Sequence, residues 1–357
     1  MPVRDRKVAA ADAWRFADRV DVRSPAEFAE DHLPRAQSAP VLNDAERAHV
    51  GTLHAQASAF AARKAGAAIV ARNIATIVDT LARDQPIDWA PLVYCWRGGQ
   101  RSRALVHVLG EIGFAAAQLD GGYRAFRRHV VATLATRPAA LRFVVVCGLT
   151  GTGKSRLIAA LGNAGAQALD LEGLAHHRGS LLGDDPQRPQ PSQKRFETGI
   201  FDVLGRADPA RPVFVESESR RIGRLQLPDA LLAAMRGSAC IRIASPLTLR
   251  VALLQHDYAH WRADPAALDA RLAPLAPLVG KATMVRWQEA AARGDFDTLV
   301  TELLALHYDP SYSRSIAGNF PLLSKAPSLV PRAIDAGAFA ALARDAIALA
   351  DALPVEG

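Results

Sequence analysis

The stretch that decides the fold is Leu141–Leu161, LRFVVVCGLTGTGKSRLIAAL. Its apolar beginning is typical of a buried β-strand, and SRLIAAL has the spacing of an amphipathic helix. Between them, Gly148 to Ser155 fit the pattern G-x-x-x-x-G-K-[ST], which in a strand–turn–helix context predicts a phosphate-binding loop, or P-loop. Backbone N–H groups at the start of the helix would hold the phosphate.

Each residue type in this loop has a chemical task. Gly148, Gly151 and Gly153 let the backbone approach a phosphate closely. Lys154 would neutralise the phosphate, and Ser155 would bind Mg²⁺ where a metal accompanies it. Because no adenine-binding or lid motif stands out in the sequence, the phosphate ligand need not be ATP.

Further strands are predicted downstream of this loop, at Gln167–Leu171, Pro212–Val215 and Cys240–Ala244. Glu216 comes directly after the second of them, where a P-loop protein usually has Asp, and Glu218 follows two residues later. Two carboxylates at this point could hold Mg²⁺ or act on a proton. The alternative, that both are solvated acids in a loop between arginines, stays open.

Strands alternating with helices on both sides of the P-loop predict an α/β protein with parallel sheets. The 357 residues suit two domains of ordinary size. We place the boundary after residue 135, because His129–Ala140 has the composition of a connector and Pro138 interrupts it. Residues 136–357 would form a P-loop NTPase-like domain whose C-terminal part is mostly helical.

Residues 1–135 show their own strand and helix signals. Strands are predicted to end at Val20–Val22 and to cover Pro91–Cys95. The Ala-rich stretch Ala45–Ala82 fits two helices, and another helix is predicted over Ser102–Ile112, with Gly113 as its stop.

The sequence YCWRGGQRS places the thiol of Cys95 in a short loop between a strand and a helix. Gly98 and Gly99 tolerate unusual dihedral angles, so the loop's N–H groups can point inward and form an anion-binding nest. Arg97 and Arg101 add positive charge. These features favour an anionic sulfur, as a thiolate or a persulfide, over a thiol packed at the end of a strand.

The other two cysteines, Cys147 and Cys240, lie in apolar runs. An odd and small number of cysteines is not a disulfide framework. We therefore interpret both as buried, inert strand thiols.

Location follows from what the sequence lacks. No run of about 18 apolar residues appears, so no membrane span is expected. The first residues, MPVRDRKVAAADAWRF, contain charges and no apolar signal region. The expected location is therefore the cytoplasm.

A net charge of +7 and a pI of about 9.6 favour a polyanionic partner such as nucleic acid. Clustered arginines suit a phosphate backbone, although a solvated basic face is the alternative. The two clusters are Arg124, Arg127 and Arg128, and Arg220, Arg221 and Arg224.

The N-terminal segments, in their order along the chain, resemble the rhodanese family. That family carries a chalcogen atom on the loop cysteine, so the resemblance assigns this role to Cys95. Asp21 and Arg23 would then be structural residues at the end of a strand. The segments that carry the resemblance are DVRSPAEF (21–28), HLPRAQ (32–37), CWRGGQRS (95–102) and LDGGYRAFR (119–127).

A rhodanese-like domain followed by this P-loop resembles the tRNA 2-selenouridine synthase family, and the resemblance covers nearly the whole chain apart from the C-terminal tail. Further matching segments are NDAERAHVGTLHAQ (43–56), LEGLAHHRGSLLG (171–183), QPSQKRFE (190–197), VFVESESRRIG (213–223) and HYDPSY (307–312).

The resemblance implies an enzyme that acts on the wobble 2-thiouridine of tRNA. It would transfer a geranyl group from geranyl diphosphate to the thiouridine sulfur and then replace the S-geranyl group with selenium from selenophosphate, with Cys95 as the selenium carrier. The Arg clusters would bind tRNA. A selenophosphate-producing enzyme is an expected partner, and no tightly bound cofactor is expected.

The implied chemistry is consistent with the residues. A thiocarbonyl sulfur leaves poorly, whereas alkylation turns it into a thiolate that departs, and diphosphate is a natural ligand for a P-loop. Two alternatives stay open. One is a rhodanese sulfurtransferase coupled to a P-loop nucleotide kinase or NTPase, and the other is a non-catalytic tRNA-binding or stress-sensing module in which Cys95 is a redox sensor.

Overall fold

The computed structural model describes residues 6–353, apart from the side chains of residues 314, 315 and 317. The chain divides into two compact units, the first running to Thr133 and the second starting at Leu134, with Glu197–Gly199 grouped with the first. Each unit contains a five-stranded sheet in which every strand pairing is parallel. The predicted α/β class with parallel sheets is confirmed.

The sheet of the first unit has the strand order β1-β5-β4-β2-β3. The two strands, the helix pair and the helix stop predicted from the sequence are all present, and Gly113 ends its helix with φ +115°. The elements are β1 Lys7–Val8, a 3₁₀ turn Ala10–Arg15, β2 Arg19–Asp21, α1 Pro25–Glu30, β3 Ala36–Ser38, α2 Asp44–Gln56, α3 Ala59–Ile77 with a π-turn Val78–Ala82, β4 Leu92–Tyr94, α4 Gln100–Ile112, β5 Ala117–Leu119 and α5 Gly122–Thr136.

Arg23 and Asp21 form a buried ion pair just after β2. The Arg23 Nη2 and Asp21 Oδ2 atoms are 2.6 Å apart, and Arg23 Nε donates to Asp21 Oδ1 over 3.0 Å. Arg23 Nη2 also donates to the carbonyl of Asp31. The pair thus ties β2 to the end of α1, the structural role that the sequence suggested.

The prediction that His129–Ala140 is a connector is wrong for most of this segment. Helix α5 continues through Thr136, and only Arg137–Ala140 form a 3₁₀ turn. The reason is a helical apolar stripe, because Phe126, Val130 and Leu134 follow one another at four-residue spacing and all three are buried.

Ala59–Ala82 is the one helical stretch between residues 6 and 353 that is long and apolar enough to cross a membrane, with a mean hydropathy of 1.3. One such helix is weak evidence for a span, because core helices of globular domains meet the same criterion. Here Ile74, Ile77 and Ala82 pack in the core of the first unit beside Val93.

The sheet of the second unit has the order β12-β11-β6-β8-β7, with a separate antiparallel hairpin β9–β10. The sequence predicted four strands of this sheet, the three inner strands and the edge strand β7, but missed the short edge strand β12. The strands are β6 Phe143–Cys147, β7 Gln167–Leu169, β8 Val213–Glu216, β9 Arg221–Ile222, β10 Leu225–Gln226, β11 Ala239–Ile243 and β12 Ser328–Leu329.

Helices make up most of the rest of the second unit, as predicted. They are α6 Lys154–Asn163, α7 Leu171–Ala175, α8 Gln193–Arg206, α9 Asp229–Arg236, α10 Leu247–Asp257, α11 His260–Ala263, α12 Pro265–Leu272, α13 Ala276–Val279, α14 Lys281–Arg293, α15 Phe296–Leu303, α16 Asp309–Asn319 and α17 Ala336–Ala352, with 3₁₀ turns at Ala273–Leu275 and Pro321–Lys325 and a π-turn at Leu304–Tyr308.

Two of the apolar cores of the second unit lie close to the P-loop or to the helices that follow it. One lies on the sheet, where Leu157 and Leu161 of α6 pack with Phe339 and Leu342 of α17. The other lies among α10 to α16, which we call the helical lobe, and is centred on the fully buried Trp287. The Ala-rich C-terminal segment is therefore a core helix of this unit.

Candidate active site

Cys95 follows β4 directly and is only 3% exposed. The Gly99 N–H donates to Cys95 Sγ over 3.3 Å, and the Ser102 hydroxyl donates to the same sulfur over 3.1 Å. Helix α4 begins at Gln100, so its first N–H groups face the same region. Two donors and a helix N-terminus at one sulfur stabilise negative charge there.

The shape of the Cys95 loop depends on a left-handed glycine. Gly98 has φ +64°, and a Cβ at this position would lie 2.7 Å from the Leu119 carbonyl oxygen. The N–H of Tyr123 donates to the Cys95 carbonyl over 2.8 Å. This hydrogen bond fixes the loop to the first residues of α5.

The two loop arginines differ in their surroundings. Arg97 is exposed, whereas Arg101 donates to Glu27 over 3.0 Å, and Arg47 contacts the same carboxylate at 3.1 Å. Burial acts to raise the pKa of Glu27, but the hydrogen bond and charge of Arg101 outweigh it and hold the pKa below its usual range. One carboxylate between two guanidinium groups leaves a net positive charge beside the loop.

The P-loop joins β6 to α6 as the sequence predicted. Gly153 has φ +92°, and a Cβ there would lie 2.5 Å from the Phe339 ring, so the position requires glycine. Lys154 Nζ donates to the Gly148 carbonyl over 2.9 Å and lies 5.1 Å from the ring centroid of Tyr312. Burial acts to lower the pKa of Lys154, but Tyr312 and the nearby carboxylates raise it overall, so the amine stays charged.

Glu172 is a site residue that sequence reasoning missed. It lies in the first turn of α7, and the Ser155 hydroxyl donates to its carboxylate. Its backbone N–H donates to Glu216 Oε1 over 2.8 Å. The available signal was its position, since it is the first acid after Asp170 at the end of the predicted strand Gln167–Leu171.

Glu216 and Glu218 are buried, so the solvated-acid interpretation is wrong. Burial and the charges of Asp170 and Glu172 hold the pKa of Glu216 well above its usual range, and its Oε2 has no hydrogen-bond partner. Burial, together with Glu172, raises the pKa of Glu218 to about 8. Within residues 6–353 no group of three His, Cys, Asp or Glu side chains converges as a metal site. Of the two acids, Glu218 is the one that lines the cavity and is suited to hold a proton.

Lys154, Ser155, Glu172 and Glu218 line one cavity of about 300 Å³ in the second unit. Arg178 lines it too, with its guanidinium 4.8 Å from the Tyr258 ring centroid. Its Nη1 atom is buried and has no hydrogen-bond partner, which is costly for a charged donor. Arg156 lines the cavity as well but is paired with Asp257. A polyanion in the cavity would therefore be stabilised chiefly by Lys154 and Arg178.

Arg250 clamps the P-loop to the helical lobe. It is 4% exposed, donates from Nε to the Thr150 carbonyl over 2.9 Å, and forms a bidentate pair with Asp309. The arginine of this bidentate pair is buried while Asp309 is partly exposed, and the pair positions the loop because its planar geometry fixes both partners.

We expect Arg250→Met to lower the free energy of unfolding by about 3 kcal/mol, because it leaves Asp309 and the Thr150 carbonyl without their donor. Urea denaturation measures the loss. The control is Arg220→Met, which breaks an ion pair with Asp229 whose side chains are 63% and 79% exposed, and which should cost less than about 1 kcal/mol. Equal losses in both variants would contradict the clamp.

The predicted nucleic-acid arginines lie on two elements, one in each unit. In α5, Arg124 and Arg128 are exposed and Arg127 is partly buried. In the second unit, Arg220 and Arg221 are exposed, while the Arg224 side chain donates to the Gln190 and Pro191 carbonyls. Arg224 thus helps to fix the hairpin on the preceding loop.

Comparison with known proteins identifies both units. Residues 8–129 match the model of the rhodanese-like domain, and residues 141–268 match the model described as tRNA 2-selenouridine synthase AAA domain. The rhodanese-like and P-loop assignments made from the sequence are thereby confirmed.

Curated relatives match across both units. Proteins named tRNA 2-selenouridine synthase from Cupriavidus pinatubonensis, Aeromonas salmonicida and Nitrosomonas europaea are 38%, 37% and 36% identical to this chain over 247 residues each. The alignments cover 67%, 68% and 67% of this chain and 65%, 64% and 63% of those relatives, so they span less than two thirds of each relative's length.

Proposed function

This chain is a homologue of the tRNA 2-selenouridine synthases, and from that relationship we propose that it exchanges sulfur for selenium at the 2-position of a uridine in tRNA. The observation that carries the proposal is the presence in one chain of two anion-stabilising loops with different chemistry. One holds the sulfur of Cys95 under two hydrogen-bond donors, and the other holds Lys154 at a phosphate cavity.

In the first proposed step the thiouridine sulfur attacks C1 of geranyl diphosphate, the C1–O bond breaks, and diphosphate leaves. Lys154, Arg178 and the P-loop N–H groups would stabilise the charge that builds on the departing diphosphate. Ser155 and Glu172 would provide oxygen ligands if Mg²⁺ accompanies it. In the second step the selenium of selenophosphate attacks C2 of the S-geranylated uridine, the C2–S bond breaks and geranyl thiol leaves, and water cleaves the Se–P bond to release phosphate. Cys95, the proposed carrier, would hold the selenium donor in its anion-stabilising loop during this transfer.

The rival function is a sulfurtransferase coupled to a nucleotide kinase or NTPase. It uses the same Cys95 and P-loop but requires nucleotide hydrolysis. Lys154, Arg178 and two carboxyl groups of raised pKa, Glu172 and Glu218, at one cavity fit either phosphate ligand. The choice of diphosphate rests on the chemistry, because alkylation makes the sulfur a leaving group and no hydrolysis is needed.

The test is analysis of the nucleosides formed on tRNA that carries 2-thiouridine. Purified protein is incubated with this tRNA, geranyl diphosphate and selenophosphate, and the digested nucleosides are measured by mass spectrometry. We expect S-geranyl-2-thiouridine first and 2-selenouridine later, without ATP. Unchanged 2-thiouridine under all conditions, or turnover only with ATP or GTP, would overturn the proposal in favour of the rival.

The proposed substrate, tRNA, and an enzyme that supplies selenophosphate would meet this protein in the cytoplasm. The exposed arginines of α5 and of the β9–β10 hairpin are the proposed contacts with the tRNA backbone. Phosphate contacts release counterions, so binding becomes weaker as salt rises.

We expect log Kd for tRNA to rise linearly with the logarithm of the salt concentration, because binding becomes weaker as salt increases. Arg221→Glu should weaken binding to several tRNA species about equally, since phosphate contacts carry little sequence information. Filter binding at several salt concentrations measures both effects. The matched control is Arg293→Glu, an exposed arginine outside the two clusters. Affinity that is independent of salt, or equal loss in the control, would count against these contacts.

A further inference from the structure

A wide groove lies between α2, α3 and α4 of the first unit, and we call it the helical groove. Its volume is about 1220 Å³, compared with about 300 Å³ for the cavity at the P-loop. Arg97, Gln100 and Arg101 form part of its wall. The groove therefore adjoins the loop that holds Cys95, the proposed selenium carrier.

The lining of the helical groove is strongly cationic. Five arginines and two histidines line it, and none of its described lining residues is acidic. Three of the arginines are exposed and have no acidic partner within residues 6–353, while the other two share the carboxylate of Glu27. One acid thus faces five guanidinium groups, and this excess of positive charge favours a polyanion. The arginines, in that order, are Arg63, Arg97, Arg103, Arg47 and Arg101.

Between the arginines the wall of the groove is apolar. Helices α2 and α3 approach closely at Gly66, where a Cβ would lie 3.4 Å from a side-chain methyl group of Val50. Small and aliphatic residues continue the lining from this contact, among them Ala67, Val70 and Ala104. A ligand that matches the groove must therefore present apolar surface as well as negative charge.

Helix α2 contributes little to the core of the first unit, because none of its residues is buried. Polar contacts hold it in place instead. Asn73 of α3 donates to Glu46 Oε2 over 2.9 Å and to the Val41 carbonyl over 3.1 Å. The helix is thus fixed while the residues that it presents to the groove stay accessible, which suits a binding surface.

We propose that the helical groove binds single-stranded RNA next to the uridine that is to be modified, and so brings this uridine to the Cys95 loop. The inference rests on the proposed function and adds to it a binding surface and the form of RNA that the surface accepts. In an unpaired strand the base faces can lie on apolar surface while the phosphates contact arginines. A duplex offers mainly its phosphates, because its base faces are stacked inside.

A small anion or a membrane surface fits the groove less well than an RNA strand. One water takes about 10–15 Å³ on this measure of volume, so the groove has room for about 80–120 water-sized groups, far more than one phosphate fills. A bilayer surface is broad and cannot enter a concave groove between helices. A flexible strand of several nucleotides can follow the groove and contact arginines of all three helices.

Binding of a stem-loop RNA with 2-thiouridine in its loop tests the groove on the full chain, with fluorescence anisotropy as the measurement. Arg63→Glu should weaken binding about fivefold or more and lower the slope of log Kd against log salt by about 0.7, the contribution of one phosphate contact on a single strand. The matched control is Arg72→Glu. Arg72 is exposed on the same helix, about two and a half turns after Arg63 and so on the opposite face, and its reversal should weaken binding less than about twofold.

A second variant, Gly51→Glu, tests the interior of the groove without strain on the fold. A Cβ at Gly51 would meet no atom within 4 Å, and glutamate is favoured over glycine inside a helix. The added carboxylate should weaken binding of the stem-loop about fivefold or more while the melting temperature stays the same or rises. A fully paired duplex of equal length should bind wild-type protein more weakly than the stem-loop does.

The proposal is overturned if Arg63→Glu and Arg72→Glu bind the stem-loop equally well, or if the duplex binds as tightly as the stem-loop. It is also overturned if Arg63→Glu loses binding to phosphatidylglycerol vesicles but keeps its affinity for RNA. Failure of the proposed function has another signature. In that case the stem-loop binds with the variant effects described, but its 2-thiouridine is never converted.

Discussion

Replacing Lys154 by Ala is expected to reduce transfer of the geranyl group to 2-thiouridine by about 10²–10³-fold, because this amine faces the charge that develops on the leaving diphosphate. Lys154 is partly buried beside Tyr312 and donates to the Gly148 carbonyl, so its charge is positioned before the ligand arrives. The rate is measured as S-geranyl-2-thiouridine formed in tRNA at saturating geranyl diphosphate.

The second half-reaction provides an internal control for this variant. Lys154→Ala should still convert supplied S-geranylated tRNA to 2-selenouridine, since the selenium carrier is on the other unit. Lys281→Ala changes an exposed lysine of the same unit and should leave geranyl transfer unchanged. If Lys154→Ala geranylates at the normal rate, the diphosphate does not bind at the P-loop. If ATP hydrolysis is needed for turnover, the kinase-like function replaces the prenyl-transfer proposal.

Replacing Cys95 by Ser is expected to abolish formation of 2-selenouridine while geranyl transfer continues. A hydroxyl cannot carry selenium as the thiol can, although it can occupy the same place beside Gly99 and Ser102. The measurement is the yield of 2-selenouridine from S-geranylated tRNA and selenophosphate. S-geranyl-2-thiouridine should accumulate when all substrates are supplied together.

Cys240→Ala is the matched control, because it removes a buried strand thiol of the second unit. It should retain both activities. A normal yield of 2-selenouridine from Cys95→Ser would remove Cys95 from the mechanism. Loss of both activities in Cys95→Ser, with normal folding, would contradict the assignment of the two steps to separate loops.

The sequence predicted the two loops well because their signals are local. The P-loop lies within eight consecutive residues, and the strand and helix on either side follow from an unbroken apolar run and a helical stripe. The same is true of the Cys95 loop, where the donors Gly99 and Ser102 come from the residues that follow the cysteine. Motifs of this kind need no knowledge of distant contacts.

The partners of these loops come from distant parts of the sequence, and the sequence did not predict them. Tyr312 and Asp309 follow the P-loop by more than 150 residues, and the first lies over Lys154 while the second holds Arg250. Glu27 pairs with Arg101 across 74 positions. Such contacts are set by how the elements pack, so the sequence placed these residues in segments of family resemblance but assigned none of them a role. Glu172 was missed for the same reason, since its importance comes from its contact with Ser155.

The boundary between the units shows a different limit of structure prediction from the sequence. His129–Ala140 contains a proline and small residues, which are typical of loops, yet the helix continues to Thr136. The burial of Val130 and Leu134 stabilises the helix by more than the weak preference of these residue types for a loop opposes it. The edge strand β12 was missed because two residues are too few to show any alternation.

The packing of Phe339 against Gly153 has a consequence for the order in which the protein is made. Helix α17 begins about 180 residues after the P-loop, and a chain elongating at about 5–20 residues per second needs roughly 10–40 s to reach it. Until then the core beneath α6 lacks Phe339, Leu342 and Ala346. The first unit, whose elements lie close together along the chain, can fold while the ribosome is still translating the rest. The P-loop is therefore among the late parts of a nascent chain to reach its folded structure, because its packing against Phe339 forms only after α17 has left the ribosome.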